Sequence, residues 1–204
     1  MKMNKFETFL MTFDLGRKIY LRGIVQKLQQ ISRLSSNKKI LEIGCGNGIG
    51  TRLIQEYFKP NEFIATEYDE SLVEITKDKV KDLNILVEAA DATQFRFSND
   101  EFDAVIGLSV IHHIPNWEDC INELHRIIKL NGLLVIKELS IDTFETLFGK
   151  IARRFVEHPY DDMFKKDEFL KYLETKGFKI EVLTPHSMLG FLSDFFLVAR
   201  KEKT

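Results

Sequence analysis

Residues Leu41 to Gly50 read LEIGCGNGIG, an apolar run that breaks into glycines at every second position, 44, 46, 48 and 50. Glycine gives up more backbone freedom on folding than any other residue, so this density is a local cost that some other requirement must offset. The preceding KKILEI has the length of a buried strand. The following GTRLIQEYF has helical spacing of its apolar residues and stops before Pro60. A glycine turn between a strand and a helix lets backbone approach a ligand closely and aims helix N–H groups at it. The dinucleotide fingerprint G-x-G-x-x-G does not fit: its third glycine falls on Ile49 when counted from Gly44, and on Thr51 when counted from Gly46. What stands here is E-x-G-x-G-x-G-x-G, with Glu42 on the strand. The mismatch disfavours a nicotinamide-dependent oxidoreductase.

Outward from this stretch the chain alternates. Strand-like runs at 62–68, 84–90, 102–110 and 132–138 are separated by helical patterns at 70–80 and 117–129. Short apolar strands joined by helices of about a dozen residues predict right-handed βαβ units and a parallel sheet covered on both faces. Beyond residue 140 the pattern changes to two helices, at 141–155 and 166–177, and two closing strands, at 178–185 and 194–201. The short loop between those strands predicts an antiparallel pair. Before the sheet, Leu15, Ile19, Tyr20, Ile24, Leu28 and Ile31 form a stripe that predicts one amphipathic helix.

With 204 residues and four prolines there is material for one domain and no long linker. The expected division is a helical cap over 1–37 and a core domain over 38–204. Two cysteines, Cys45 and Cys120, form no C-x-x-C pair, so a reducing cytoplasm is expected. The N-terminus makes a poor secretion signal and no run approaches the ~20 apolar residues of a membrane span. Net charge is −2, which argues against nucleic acid as a partner. The charge is uneven, since residues 1–39 carry nine basic side chains against Glu7 and Asp14. That arm has three open readings: a lid over an acceptor pocket, a helix making weak contact with an anionic membrane surface, or a solvated face. Oligomeric state is not legible.

Over residues 38–138 the sequence resembles the class I S-adenosylmethionine-dependent methyltransferases of the small-molecule (type 11-like) branch. LEIGCGNGIG is similar to that family's first motif, ATEYDESL to its second and EAADATQFRFSNDEFDAVI to its third. LSVIHHIPNWEDCINELHRIIKLNGLLVIKE is similar to the segment that usually ends K-P-G-G, which here reads Lys129-Leu130-Asn131-Gly132. The resemblance implies an α/β, Rossmann-like doubly wound sheet of seven strands, mostly parallel with an antiparallel C-terminal strand, in order 3-2-1-4-5-7-6 and with an N-terminal helical cap. It implies S-adenosyl-L-methionine as cofactor, S-adenosyl-L-homocysteine as product and methyl transfer to a small-molecule acceptor by in-line displacement. Alternatives within it are a lipid or isoprenoid/quinone acceptor at a membrane surface, and a non-catalytic S-adenosylmethionine-binding protein. It further implies a cofactor site formed by Glu42, Gly44, Cys45, Gly46, Gly48, Glu67, Tyr68, Asp91, Ala92 and Ser109. Glu67 would take the ribose hydroxyls and Asp91 the adenine amino group. Glu42 would either organise the glycine loop or reach the cofactor's amino group.

His112 and His113 follow the fourth strand and are the candidate catalytic residues, histidine being suited to proton transfer near neutral pH. They compete with a reading in which the pair only shapes its loop. A metal is not expected, because adjacent loop residues rarely supply two ligands. His158 and Tyr160 in RRFVEHPYDD are candidate substrate contacts. Phe144, Leu147, Phe148, Phe155 and Trp117 are expected to pack, His125 to be structural, and His186 to lie in a loop.

Overall fold

A computed structural model of the chain describes residues 14–145, 159–188 and 192–203. In chain order the elements are α1 (Asp14–Ser32), β1 (Lys39–Ile43), α2 (Ile49–Phe58), β2 (Glu62–Glu67), α3 (Glu70–Val80), β3 (Leu86–Ala89) and β4 (Phe102–Leu108). They continue with a 3-10 turn at Ile111–His113, α4 (Trp117–Ile127), β5 (Ile128–Leu139), a single turn α5 (Asp142–Glu145), α6 (Lys166–Thr175), β6 (Phe178–Met188) and β7 (Leu192–Lys201). The seven strands form one sheet in the order β3-β2-β1-β4-β5-β7-β6. Strands β1 to β5 pair in parallel, and β7 runs antiparallel to both β5 and β6. The order reverses between β1 and β4, which opens a crevice at their carboxyl ends.

Period-two alternation of the strands divides the core between two faces. On the first, Ile40, Ala104, Ile106, Leu133, Val135, Phe196 and Val198 pack under α1 and α2, while Ala65 and Val87 meet α3. On the second, Leu41, Ile43, Val105, Leu134, Ile136, Leu197 and Ala199 pack under α4 and α6. There Trp117 closes on the rings of Phe164, Phe169 and Tyr172, the packing role expected of it. His125 lies edge-on to Phe178, a structural setting in which burial lowers its pKa.

The structure departs from the sequence reading in three places. Ile19 is 66% exposed. Ile24 and Leu28 of the expected stripe are buried and Tyr20 and Ile31 flank them, but Val25 and Leu21 join that face, because the helix lies against both the sheet and α2 and so buries a broader face. Strand β5 starts at Ile128, not at residue 132: the Lys129–Gly132 stretch is absorbed as an irregularity opposite Phe102–Ala104. Asn131 takes a left-handed φ of 65° there, and a Cβ on Gly132 would lie 2.8 Å from the Lys129 carbonyl. Strand β6 continues past Pro185 and carries His186, which therefore lies in a strand facing Asp194 of β7. Leu147, Phe148, Phe155 and His158 lie outside the described residues.

Truncating the fully buried Leu28 (L28A) is expected to cost about 2–5 kcal/mol in urea denaturation. Ile19→Ala should stay within about 0.5 kcal/mol. Equal losses would show that α1 is docked in another orientation.

Candidate active site

The glycine run turns the chain from β1 into α2 across the mouth of the crevice. Gly44 has φ +65°, and a Cβ there would sit 2.3 Å from Cγ2 of Val110, just past β4. Only bare backbone fits that seam. Cys45 N donates to the Thr66 carbonyl (2.9 Å), Gly48 N to the Cys45 carbonyl (3.0 Å), and the Thr76 hydroxyl to the Gly46 carbonyl (2.8 Å). At Gly50 the constraint is close approach, since an added Cβ would lie 2.8 Å from Leu108 Cδ1 and 3.1 Å from Glu42 Oε1. The Glu42 carboxyl thus lies under the first turn of α2, almost fully buried, with Oε2 making no hydrogen bond among the described residues. Burial raises its pKa to about 8, the nearby Glu67 charge adding to the rise and the neighbouring Thr51 hydroxyl opposing it. Burial also raises the thiols of Cys45 and Cys120, so neither is an activated nucleophile.

Glu67 closes β2 and ties the loop in place. Its Oε2 accepts from Gly46 N at 2.9 Å, and its Oε1 from Tyr68 N at 2.9 Å and Asp69 N at 3.2 Å. The Tyr68 side chain is exposed. Asp91 follows β3 and caps its own turn, Oδ1 accepting from the Thr93 amide (2.8 Å) and hydroxyl (2.7 Å). Its Oδ2 makes no hydrogen bond among the described residues. The segment running on from Asp91 and Ala92 is held from α4: Arg126 donates to the carbonyls of Phe97 (2.7 Å) and Phe95 (3.1 Å), and Glu123 accepts from Phe95 N (3.1 Å).

The loop after β4 is gripped from both faces by neighbouring residues of β5. Lys137 projects to the first face, where its buried Nζ donates to Ser109 Oγ (2.9 Å) and pairs with Asp194 Oδ2 (2.5 Å). Ser109 takes a left-handed φ of 60°, uncommon outside glycine, and its N–H donates to the Lys137 carbonyl at 2.7 Å. Glu138 projects to the second face. Its Oε1 accepts from Val110 N (2.6 Å) and Ile111 N (2.9 Å), and its Oε2 lies 2.7 Å from His112 Nδ1. Burial opposes ionisation of Glu138, but the His112 ring and the two amides outweigh it and hold the carboxyl below its ordinary range. His112 is buried, while His113 is half-buried and packed against it with the rings tilted, their centroids 4.1 Å apart.

Tyr160 is half-buried against Phe144 (ring centroids 5.0 Å apart) in a cluster with Ile141 and Met163, just beyond the end of β5. Sequence reading overlooked Lys137, Glu138 and Asp194. The available signal was two adjacent charges closing the otherwise apolar GLLVIKE: in a strand, adjacent residues face opposite sides, so both had to be buried and paired.

A doubly wound sheet with reversal at β1/β4, a glycine loop against the β4 loop and acidic residues at the ends of β1, β2 and β3 make the arrangement implied by the resemblance to the class I methyltransferases. Residues 41–136 match the Methyltransf_11 family, described as a methyltransferase domain. The chain is 28% identical over 176 residues to the ubiquinone biosynthesis O-methyltransferase of Rickettsia bellii (81% of this chain, 71% of that protein). It is 29% identical over 152 residues to the demethylmenaquinone methyltransferase of Staphylococcus saprophyticus (71% and 64%). The fold matches that of the S-adenosylmethionine dependent methyltransferase of Mesorhizobium loti with a TM-score of 0.71 and 16% identity, covering 88% of this chain and 99% of that one. No helix among the described residues is long and apolar enough to cross a membrane.

Removing the Glu138 carboxylate leaves two amides and a ring nitrogen unanswered in the core. Glu138→Ala is expected to cost about 3–5 kcal/mol at neutral pH, read by urea denaturation. A carboxyl whose folded pKa is depressed contributes stability above its ordinary pKa and loses it as pH falls through the folded value. The gap between wild type and variant should therefore narrow below pH ~4; a gap that widens on acidification would contradict the pairing.

Proposed function

We propose that the chain binds S-adenosylmethionine across the ends of β1 and β4 and transfers its methyl group to a small-molecule acceptor of the kind used in quinone biosynthesis. The observation that carries this reading is the bare glycine backbone at Gly44, held against Val110, with the carboxyl groups of Glu42, Glu67 and Asp91 at the carboxyl ends of β1, β2 and β3. The residues present fit the cofactor. Glu67 has lone pairs left for ribose hydroxyls beyond the amides it already binds. Asp91 has Oδ2 for an adenine amino group, and Ala92 has its backbone. The orphan Oε2 of Glu42 suits the cofactor's ammonium group, while Cys45, Gly46 and Gly48 contribute backbone. Tyr68 lies at the ribose end and Ser109 at the methionine end. The acceptor class comes from the two quinone-biosynthesis relatives.

When bound, S-adenosylmethionine supplies a methyl group already activated on a sulfonium. What remains for the protein is to hold the acceptor in line with it and to exclude water. The loop from Ser109 to His113, fixed by Lys137 and Glu138, forms the rigid floor for that alignment. His113, the less buried of the two histidines, takes the proton-handling role where the acceptor must lose a proton, with His112 and Glu138 as its support. Tyr160 and His158 remain candidates for acceptor contact.

Incubating the protein with methyl-deuterated S-adenosylmethionine and fractionated cell extract should place the label in a low-mass product detected by mass spectrometry. Binding of S-adenosylhomocysteine without any labelled product would leave a non-catalytic binder, and preference for NAD would overturn the class of ligand. A second outcome follows from Glu42. A carboxyl with pKa about 8 is largely protonated at pH 7, and an ammonium group placed beside it favours its ionised form. S-adenosylhomocysteine binding at pH 7 should therefore release protons, seen as a calorimetric enthalpy that depends on the buffer's ionisation heat. Glu42→Gln should abolish that dependence; an unchanged dependence would place the ammonium group elsewhere.

A further inference from the structure

A second cavity, of about 520 Å³, opens at the ends of β5, β6 and β7, away from the glycine loop. Its wall includes Ser140, Lys165, Pro185, His186, Asp194 and Phe195. Two polar atoms of these residues are buried and make no hydrogen bond among the described residues: Asp194 Oδ1 and His186 Nδ1. They flank one carboxylate, since His186 Nδ1 lies 3.5 Å from Asp194 Oδ2, the oxygen that also holds Lys137. Asp194 is only 4% exposed, and leaving a buried carboxylate oxygen unanswered is costly. Tyr20 of α1 faces the same group: its ring centroid is 6.4 Å from that of His186. Lys137 then runs from Asp194 to Ser109, so the cavity stands one side chain from the loop that floors the proposed methyl-transfer centre.

We propose that Asp194 and His186 form the subsite that recognises a hydroxyl group of the methyl acceptor, a phenol or enol carried on an uncharged ring. The inference deepens the methyltransferase reading and rests on it. The two unmet atoms ask for different things: a carboxylate oxygen only accepts, and an imidazole N–H donates. A hydroxyl answers both with one atom. An ammonium group donates only, and the Asp194 charge is already balanced by Lys137. An ether accepts only and leaves Asp194 unanswered. Phe195 and Pro185 supply apolar wall for the ring that carries the hydroxyl.

The test uses the full chain saturated with S-adenosylhomocysteine and three fluorinated probes followed by fluorine NMR: 4-fluorophenol, 4-fluoroanisole and 4-fluorobenzylamine. The phenol is expected to bind, and the ether and the amine to bind at least about tenfold more weakly. Asp194→Asn should weaken the phenol about tenfold, because a charged acceptor makes the stronger bond, while leaving S-adenosylhomocysteine affinity in place. Should Asp194→Asn fail to melt cooperatively, the double variant Lys137→Met/Asp194→Leu removes the buried pair together, leaves no orphan charge, and should lose phenol binding. Equal binding of ether and phenol, tighter binding of the amine, or phenol affinity that ignores both variants would overturn the subsite. Phenol binding that depends on Asp194 in a protein without affinity for S-adenosylhomocysteine would keep the hydroxyl site and remove the cofactor reading instead.

Discussion

The contact between Gly44 and Val110 decides where everything else can stand. Strands β1 and β4 diverge at the reversal of sheet order, and their two loops meet at a distance that admits no side chain on the first. A Cβ 2.3 Å from Val110 would push the loops apart and displace either the turn into α2 or the 3-10 turn at His112. The spacing of the glycines follows from this seam. Gly44, Gly46 and Gly48 take left-handed backbone, while Gly50 is required by the carboxyl beneath it. The conformational cost of the run is offset by a surface of backbone groups, with Glu67 and Thr76 fixing its far side.

That surface would be of little use if the β4 loop could drift, and the two charges of β5 prevent it. Burying an ion costs several kcal/mol unless it is paired and fully bonded. Lys137 and Glu138 both meet the condition, and each does so by binding the β4 loop: Ser109 on one face, Val110 to His112 on the other. The penalty for leaving either charge unanswered thus becomes a force that holds the loop. Such bonds are more directional than apolar packing, which tolerates shifts at modest cost.

The strands and helices of the two-faced core and the glycine loop were legible because each rests on a local signal, whereas the strand order and the roles of the carboxylates at 42, 67 and 91 came with the resemblance. The short apolar run in KKILEI, helical spacing in ESLVEITKDKV, which matches α3 residue for residue, and the alternating glycines all lie within a dozen residues. The departures share a different origin. Ile19 satisfies the helical period but sits beyond the edge of the buried face, and only the docking of α1 on the sheet and α2 could reveal that. The start of β5 at Ile128 depends on accommodation opposite Phe102, a contact across 26 residues. His186 is drawn into a strand by its partner Asp194. Asp194 itself looks like any acidic residue at the start of a strand until Lys137 is placed beside it.

The same division separates the two halves of the site. The proposed cofactor half draws largely on main chain and on residues close to single strand ends, so it can be specified by short motifs. The proposed acceptor half draws on Tyr20, Lys137, His186 and Asp194, which come from α1, β5, β6 and β7 and are brought together by the fold. Lys137 reaches from that group to the β4 loop. Changes around His186 and the cavity wall can therefore alter what is recognised without touching the glycine seam. A change at Lys137 acts on both halves at once, because it leaves Asp194 unpaired and releases Ser109 from its left-handed conformation.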